Sequence, residues 1–181
     1  GKYKAVLKYG NERSEAPIEV LPDPGLKADA SVWSEQQVFM ERVSSDINEI
    51  HAAVNNVRGA KKQIQLLNEN LREMPQHKAL LEEGNELLKK MEAWEANLVE
   101  YRITNGQDVI NWPSKLNAEF FNVKGLADSH DPQLTEGVKK RLADLEAQWA
   151  GFKKQYDGEL RTAVNAYNQK YQQANIPAIM I

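Results

Sequence analysis

The residues that most often carry acid–base or metal chemistry are few and scattered in this sequence. Its three histidines are His51, His77 and His130, and none has a second histidine or a glutamate at the spacing of a helical metal motif. Cysteine is absent, which excludes disulfides, thiolate nucleophiles and cysteine-ligated zinc. We therefore expect no metal site and no cofactor.

The 26 acidic residues contain no recognisable catalytic pair. A glycosidase needs two carboxyl groups that face each other across a cleft, about 5–10 Å apart. A pair such as Glu82-Glu83 instead fits the charged, solvent-facing side of a helix. The sequence also has no glycine-rich phosphate loop and no Gly-x-Ser-x-Gly nucleophile elbow. We therefore expect no catalytic residue in this chain.

The irregular polar stretch 104–113 supplies the candidate binding residues, which are Asp108, Asn111 and Trp112. An exposed tryptophan in a loop could stack on a sugar ring. The alternative, which we favour, is that Trp112 plugs one end of a helical core while Pro113 starts the next helix.

Apolar residues recur at intervals of three and four over most of the chain, which is typical of long amphipathic helices. The first helix is predicted over 31–72, with Ser31 or Ser34 as its N-cap and Pro75 beyond its end. Its apolar seam comprises Phe39, Val43, Ile47, Ile50, Val54, Val57, Ile64, Leu67 and Leu71.

Two more long helices are predicted at about 77–104 and 135–173, the last with Thr135 as its N-cap. A short helix is predicted between them, from Pro113 to about Ala127, in the space beside the shorter second helix. The fold class is therefore mainly α, an antiparallel bundle of three long helices plus one short helix. Seam residues of the two later long helices include Leu80, Leu87, Met91, Trp94, Leu98, Tyr101, Val138, Leu142, Leu145, Trp149, Phe152, Tyr156, Leu160, Val164, Tyr167 and Tyr171.

The start of the chain has a different pattern. Residues 2–9 and 16–20 alternate between apolar and polar side chains around a turn at Gly10, which predicts a β-hairpin. Two strands alone are marginally stable in water, so we interpret them as the remnant of a larger sheet. The predicted division is 1–21 for the last strands of a β-sandwich-like domain, 22–30 for a Pro/Gly linker, and 31–181 for the helical bundle.

The charge and hydropathy of the chain limit its partners. A net charge of −3 gives no electrostatic signature of nucleic-acid binding. No apolar run approaches the ~18 residues that a membrane span requires.

The segments "GKYKAVLKYG", "IEVLPDP" and "INEIHAAVNNVRGAKKQI" together resemble the C-terminal region of a family of large bacterial proteins. The main body of those proteins is a sortilin-like β-propeller of BNR (Asp-box) repeats, often labelled glycosyl-hydrolase-related. In that family a small β-sandwich follows the propeller, and a V-x-PDP turn then leads into a helical region. The segment "NGQDVINWPSKLNAEFFNV" is similar to a family segment with an aromatic–Pro pair and "KLN".

The resemblance implies an exported, extracytoplasmic parent protein whose propeller and β-sandwich are partners of this region. Any catalysis would belong to the propeller, so no functional residue is carried over to this chain. The function that we expect is a non-catalytic structural or interaction module. The alternatives are an accessory region that helps to bind a glycan and a self-association module.

Overall fold

The computed structural model describes residues 1–26, 28–129 and 131–176, and about two thirds of these residues are helical. The mainly α class and the N-terminal hairpin are confirmed. His130, one of the three histidines considered above, lies outside the described residues.

The hairpin consists of strands β1 (Lys2–Tyr9) and β2 (Glu12–Glu19), which are antiparallel. Gly10 takes a φ of 57° in the turn, a left-handed conformation that glycine adopts without steric cost. Every residue of both strands is exposed. The predicted turn and alternation are thus confirmed, but neither strand contributes a buried residue.

Helix α1 (Ala30–Arg72) is one 43-residue segment, about 65 Å long at 1.5 Å per residue. Its N-cap is Asp29, so the prediction of Ser31 or Ser34 was wrong. The Asp29 carboxylate accepts hydrogen bonds from the backbone N–H groups of Ser31 (3.0 Å) and Val32 (3.2 Å). The Ser31 hydroxyl also donates to Asp29, so Ser31 supports the cap from within the first turn.

A 3₁₀ turn at Pro75–His77 leads into α2 (Lys78–Glu95), which ends well before the predicted residue 104. The α-helix gives way to a turn after Glu95, where the N–H of Leu98 donates to the Glu95 carbonyl three residues earlier. Leu98 is still fully buried, whereas Tyr101, the next predicted seam residue, is 76% exposed. The apolar spacing therefore continued past the end of the helix.

Helix α3 (Leu116–Ala127) starts three residues later than predicted, and Pro113 is not in its first turn. The N–H of Leu116 donates to the carbonyl of Asn97 (3.3 Å), and that of Asn117 donates to the carbonyl of Leu98 (3.0 Å). These bonds satisfy two N–H groups that the start of α3 would otherwise leave unpaired, and their acceptors lie in the turn that follows α2. The start of α3 is thus fixed by its junction with α2.

The last helical segment is continuous and consists of α4 (Glu136–Lys154), a π-helical turn (Gln155–Leu160) and α5 (Arg161–Gln173). The predicted N-cap is confirmed, since the Thr135 hydroxyl accepts from the Val138 N–H at 3.2 Å. The π-helical turn was not predicted.

Side-chain contacts fix the direction of each helix relative to α1. Along α1, the residue numbers of its partners on α4 and α5 increase, which means that these helices run parallel to α1. The pairs are Arg42–Glu146, Glu49–Lys153 and Asn68–Tyr167. The residue numbers of its partners on α2 and on α3 decrease, in the pairs Arg58–Glu95, Asn68–Asn85, Gln36–Ala127 and His51–Phe121. Helices α2 and α3 therefore run opposite to α1, with the contacts of α2 on its C-terminal half and those of α3 on its N-terminal half.

A single apolar core connects these helices. Most predicted seam residues are buried in it, including Trp94 and Trp149, each 4% exposed. Its fully enclosed side chains include Val43, Ile50, Leu71, Met91, Leu98, Phe120, Val123, Leu142 and Leu145.

A buried polar cluster crosses the core where α1, α2 and α5 meet. Asn68 is 2% exposed; its amide donates to Asn85 Oδ1 (3.0 Å), and its Oδ1 accepts from the Tyr167 hydroxyl (3.3 Å). Burial raises the pKa of Tyr167 to about 12. Gly84 gives the cluster room, since a Cβ there would lie 2.3 Å from Asn68 Oδ1 and 2.9 Å from the Tyr167 hydroxyl.

Replacing Gly84 with Ala should lower the stability of the protein by about 1–3 kcal/mol, because the new methyl group overpacks the polar cluster. The matched control is Gly59→Ala on α1, where an added Cβ meets nothing within 4 Å. That substitution should stabilise the helix by about 0.5–1 kcal/mol through backbone entropy. Urea denaturation of both variants provides the measurement, and equal effects would contradict the close approach at Gly84.

Candidate functional site

The predicted binding residues lie in the segment 96–115, which connects α2 to α3. The carbonyls of Asn97 and Leu98 accept hydrogen bonds from the first turn of α3. The residues between these two points therefore form a loop outside the core whose two ends lie close together. We call residues 99–115 the excursion loop. It leaves near the middle of α1, between the parts that α2 and α3 cover, and not at an end of the helical core.

Asp108 organises the first half of the excursion loop. Its Oδ2 accepts hydrogen bonds from the backbone N–H groups of Thr104 (2.8 Å) and Asn105 (3.0 Å) and from the Thr104 hydroxyl (3.0 Å). Its Oδ1 accepts from the Asn105 side-chain amide at 3.0 Å. These bonds, led by the one from the Thr104 backbone, hold the pKa of Asp108 below its usual value. Both carboxylate oxygens are therefore engaged within the loop.

Trp112 is half-buried and lies against a cation. The guanidinium carbon of Arg102 is 3.6 Å from the centre of the indole ring, within the range of a cation–π contact. Arg102 also donates to Glu100, with Nε–Oε1 and Nη2–Oε2 distances of 2.6 Å each. The Glu100 carboxylate, the Arg102 guanidinium and the Trp112 indole therefore form a chain of contacts within the loop.

Glu100 is the enclosed end of this arrangement, with its side chain only 5% exposed. The two hydrogen bonds from Arg102 outweigh the effect of burial and lower the pKa of Glu100 to about 2. Sequence reasoning missed both residues because it placed them in a helix extending to 104. Residues two positions apart on a helix do not face each other, so nothing in the sequence indicated that Glu100 and Arg102 would form an ion pair.

Asn111 is exposed and lies beside Trp112 at the end of a 3₁₀ turn formed by Asp108–Ile110. The backbone N–H groups of Asn111 and Trp112 both donate to the Asp108 carbonyl, at 3.0 Å each. The three predicted binding residues are therefore adjacent. One face of the Trp112 indole contacts Arg102, and both Asp108 carboxylate oxygens already accept hydrogen bonds within the loop. A ligand at this site would therefore have to bind to groups that these contacts leave free.

The excursion loop also presents apolar side chains to solvent: Tyr101 is 76% exposed, Ile110 82% and Val109 49%. They flank a loop that internal hydrogen bonds hold in one shape. The loop can offer a preformed contact surface. Asp108 and Glu100, its two carboxylates, are both held in the charged form by their partners, which does not suit a general acid.

A second cluster of carboxylates lies between α1 and α4, and sequence reasoning did not identify it. Asp46 Oδ2 is buried without a hydrogen-bond partner among the described residues. Burial, and then the neighbouring Glu146 and Glu49, raise the pKa of Asp46, while Arg42 acts in the opposite sense. Arg42 itself forms an ion pair with Glu146.

Glu49 in this cluster already has partners on α4. It accepts from Lys153 Nζ at 2.8 Å and from the indole N–H of Trp149 at 3.2 Å, and both bonds lower its pKa. Over the described part of the chain, no group of three or more His, Asp or Glu side chains is placed to hold a metal ion. The cluster contributes to the contact between α1 and α4.

Comparisons of the chain with protein-family models, with curated proteins and with solved structures found no match. The relationship to sortilin-like propeller proteins therefore stays a prediction. Among the described helices, none is both long enough and apolar enough to cross a bilayer.

Glu100 should titrate near pH 2 in the folded protein. Its lowered pKa means that its contribution to stability is present above its ordinary value of 4.5 and is lost as the pH falls towards about 2. Carboxyl-carbon NMR measures this directly. In Arg102→Gln the midpoint should move back towards 4.5, and a wild-type midpoint already at that value would contradict the Glu100–Arg102 ion pair.

Asp46→Asn should raise the melting temperature at neutral pH. The raised pKa of Asp46 means that the folded state is disfavoured as the pH rises through that pKa and the buried carboxyl group ionises. The gain from the amide should therefore shrink in acid. Thermal melts at about pH 7 and about pH 4 test this, with Asp144→Asn, an exposed position on α4, as the control. A gain that is independent of pH would show that ionisation of Asp46 is not its cause.

Proposed function

We propose that this chain is a non-catalytic structural and interaction module, in which a helical bundle carries a β-hairpin that docks on a β-rich neighbour. The observation that carries the proposal is the hairpin's exposed apolar face. In the observed register Tyr3 faces Ile18, Ala5 faces Ala16, and Leu7 lies on the same side.

The two faces of the hairpin differ sharply. The apolar face exposes 64% of Tyr3, 71% of Leu7, 84% of Tyr9 and 46% of Ile18. The opposite face is mainly charged, with Lys4 paired to Glu15 at 2.7 Å, although Val6 also lies on it. An amphipathic sheet of this kind is normally stable only when its apolar face is covered. A partner sheet that covers this face is therefore the arrangement that the hairpin fits best.

The helical part supports a scaffold role. We infer that α1, the α2–α3 pair and α4–α5 form an up–down–up bundle, in which each helix turns its apolar seam inwards. A closed core of this kind has no need of a partner for its own stability. The resemblance noted from the sequence supplies the proposed context, which is the end of an exported propeller protein whose β-sandwich receives the hairpin.

Deletion of residues 1–24 should leave the helicity and melting temperature of the chain nearly unchanged, because no strand residue is buried. Circular dichroism of the truncated and complete chains measures this. Loss of most of the helical signal would show that the hairpin belongs to the helical core and would overturn the division proposed here.

Hydrogen exchange tests the docking itself. In a protein in which the proposed β-sandwich precedes this chain, the amides of β1 and β2 should exchange far more slowly than in the 181-residue chain alone. Leu7→Lys on the apolar face should abolish that difference, and Lys4→Gln on the charged face should preserve it. Equal amide exchange rates with and without the β-sandwich would exclude docking of the hairpin. A molecular mass of the isolated chain that rises with its concentration would instead indicate self-association.

A further inference from the structure

A cleft of about 330 Å³ opens where α1, α2 and the π-helical turn meet α5. It lies apart from both the hairpin and the excursion loop. Its lining residues are Asn56, Val57, Ala60, Met91, Tyr156, Leu160, Arg161, Val164 and Asn165.

The floor of the cleft is apolar and built from the core. Val57 is 3% exposed, Met91 1% and Leu160 7%, so these side chains are fixed by packing on their other sides. Ala60 and Val164 flank them and are half-buried. A ligand entering the cleft would therefore contact mainly Ala60 and Val164, which the packed side chains of Val57, Met91 and Leu160 support from beneath.

The rim of the cleft carries hydrogen-bond donors. Arg161 supplies a guanidinium, Asn56 and Asn165 supply amides, and Tyr156 supplies a hydroxyl. None of the described residues that line the cleft is acidic. The rim therefore presents hydrogen-bond donors, one of them the charged Arg161, above an apolar floor.

Several contacts hold Tyr156 and Arg161 in place. The Tyr156 ring stacks on Trp94 with a centroid distance of 5.5 Å, and its hydroxyl accepts from Asn56 Nδ2 at 3.3 Å. The Arg161 guanidinium lies 4.9 Å from the centre of the same ring, and its Nε is 3.4 Å from Asp157 Oδ1. Asp157 is 49% exposed and is thus a solvated partner that an incoming anion could displace.

The π-helical turn is what brings these groups together. Tyr156 and Leu160 lie within Gln155–Leu160, and Arg161 follows directly. A π turn adds a residue to one turn of helix and shifts its side chains out of α-helical register, and such turns are frequent at functional sites. Here the shift coincides with the cleft.

We propose that this cleft binds a small carboxylic acid with an apolar body, such as a single-ring aryl acid. The carboxylate pairs with the Arg161 guanidinium and accepts from the rim amides, and the hydrocarbon part covers Ala60 and Val164. A volume near the lower end of the range for ligand pockets limits the ligand to this size. One guanidinium matches a monoanion, and the apolar floor disfavours a small, strongly hydrated ion.

The test is an NMR titration of the complete chain with 3-phenylpropionate. The methyl resonances of Met91, Leu160 and Val164 should shift together and saturate. The uncharged 3-phenylpropanamide should bind about tenfold more weakly or worse, because it lacks the charge-assisted bonds. Acetate, which has the charge but no apolar body, should produce no saturable shift. Equal binding of acid and amide, or no saturable shift with the acid, would overturn the proposal.

Three variants separate the rim from the floor. Arg161→Gln should weaken binding of 3-phenylpropionate about tenfold or more, whereas Asp157→Asn should tighten it by removing a competing carboxylate. Ala60→Leu should fill the cleft and block binding. Arg141→Gln, which removes an exposed arginine paired with Glu119 elsewhere, is the matched charge control and should change nothing.

Circular dichroism establishes that each variant is folded before binding is measured. Since Arg161 is largely exposed, its substitution should preserve the fold even if Ala60→Leu does not. Undiminished binding by folded Arg161→Gln would exclude the proposed site.

Discussion

The junction of α2 and α3 is the constraint on which much of this structure depends. A helix that stops inside a protein leaves its last carbonyls without partners, and a helix that starts there leaves its first N–H groups unpaired. Here the turn after α2 satisfies both ends, because the N–H groups of Asn97 and Leu98 donate to the last carbonyls of α2. The carbonyls of the same two residues accept from the first N–H groups of α3, so α2 and α3 follow each other along α1.

This junction determines where the chain must leave the core. With Leu98 and Leu116 both buried at the break, the residues between them have no space inside and are directed to solvent. The excursion loop must then stabilise itself, and it does so through Asp108 and through the Glu100–Arg102–Trp112 arrangement. A second constraint, the Asn68 cluster, acts further along α1. A buried amide with specific partners tolerates few alternative alignments of α1, α2 and α5.

The parts of the fold that could be predicted from sequence are those governed by apolar periodicity and by a single cap. The seam from Phe39 to Leu71 and the cap at Thr135 are of this kind, because each needs only local information. The end of α2 could not be predicted, since Leu98 keeps the helical spacing although it lies in a turn. The π-helical turn was hidden in a similar way, because Phe152, Tyr156 and Leu160 recur every four residues and look like an ordinary helix.

The candidate site shows the same division. Sequence reasoning found Asp108, Asn111 and Trp112 because they interrupt a periodic pattern, and the structure places them in one turn. It could not find Glu100 and Arg102, since their pairing depends on where α2 ends. Nor could it find the cleft beside Arg161, whose lining residues come from helices that are distant in sequence.

The features that could bind a ligand or a partner lie outside regular helix packing. The hairpin precedes the first helix, the excursion loop leaves at a break between helices, and the cleft lies at a π-helical turn. Elsewhere the helices fill their own core and leave surfaces crossed by solvent-exposed ion pairs such as Lys170–Glu83, which contribute little to stability. A packed core fixes the scaffold, but it also occupies the groups that could otherwise bind a ligand. Ligand or partner binding is therefore expected where the chain departs from regular helix geometry and the surrounding core fixes that irregular conformation.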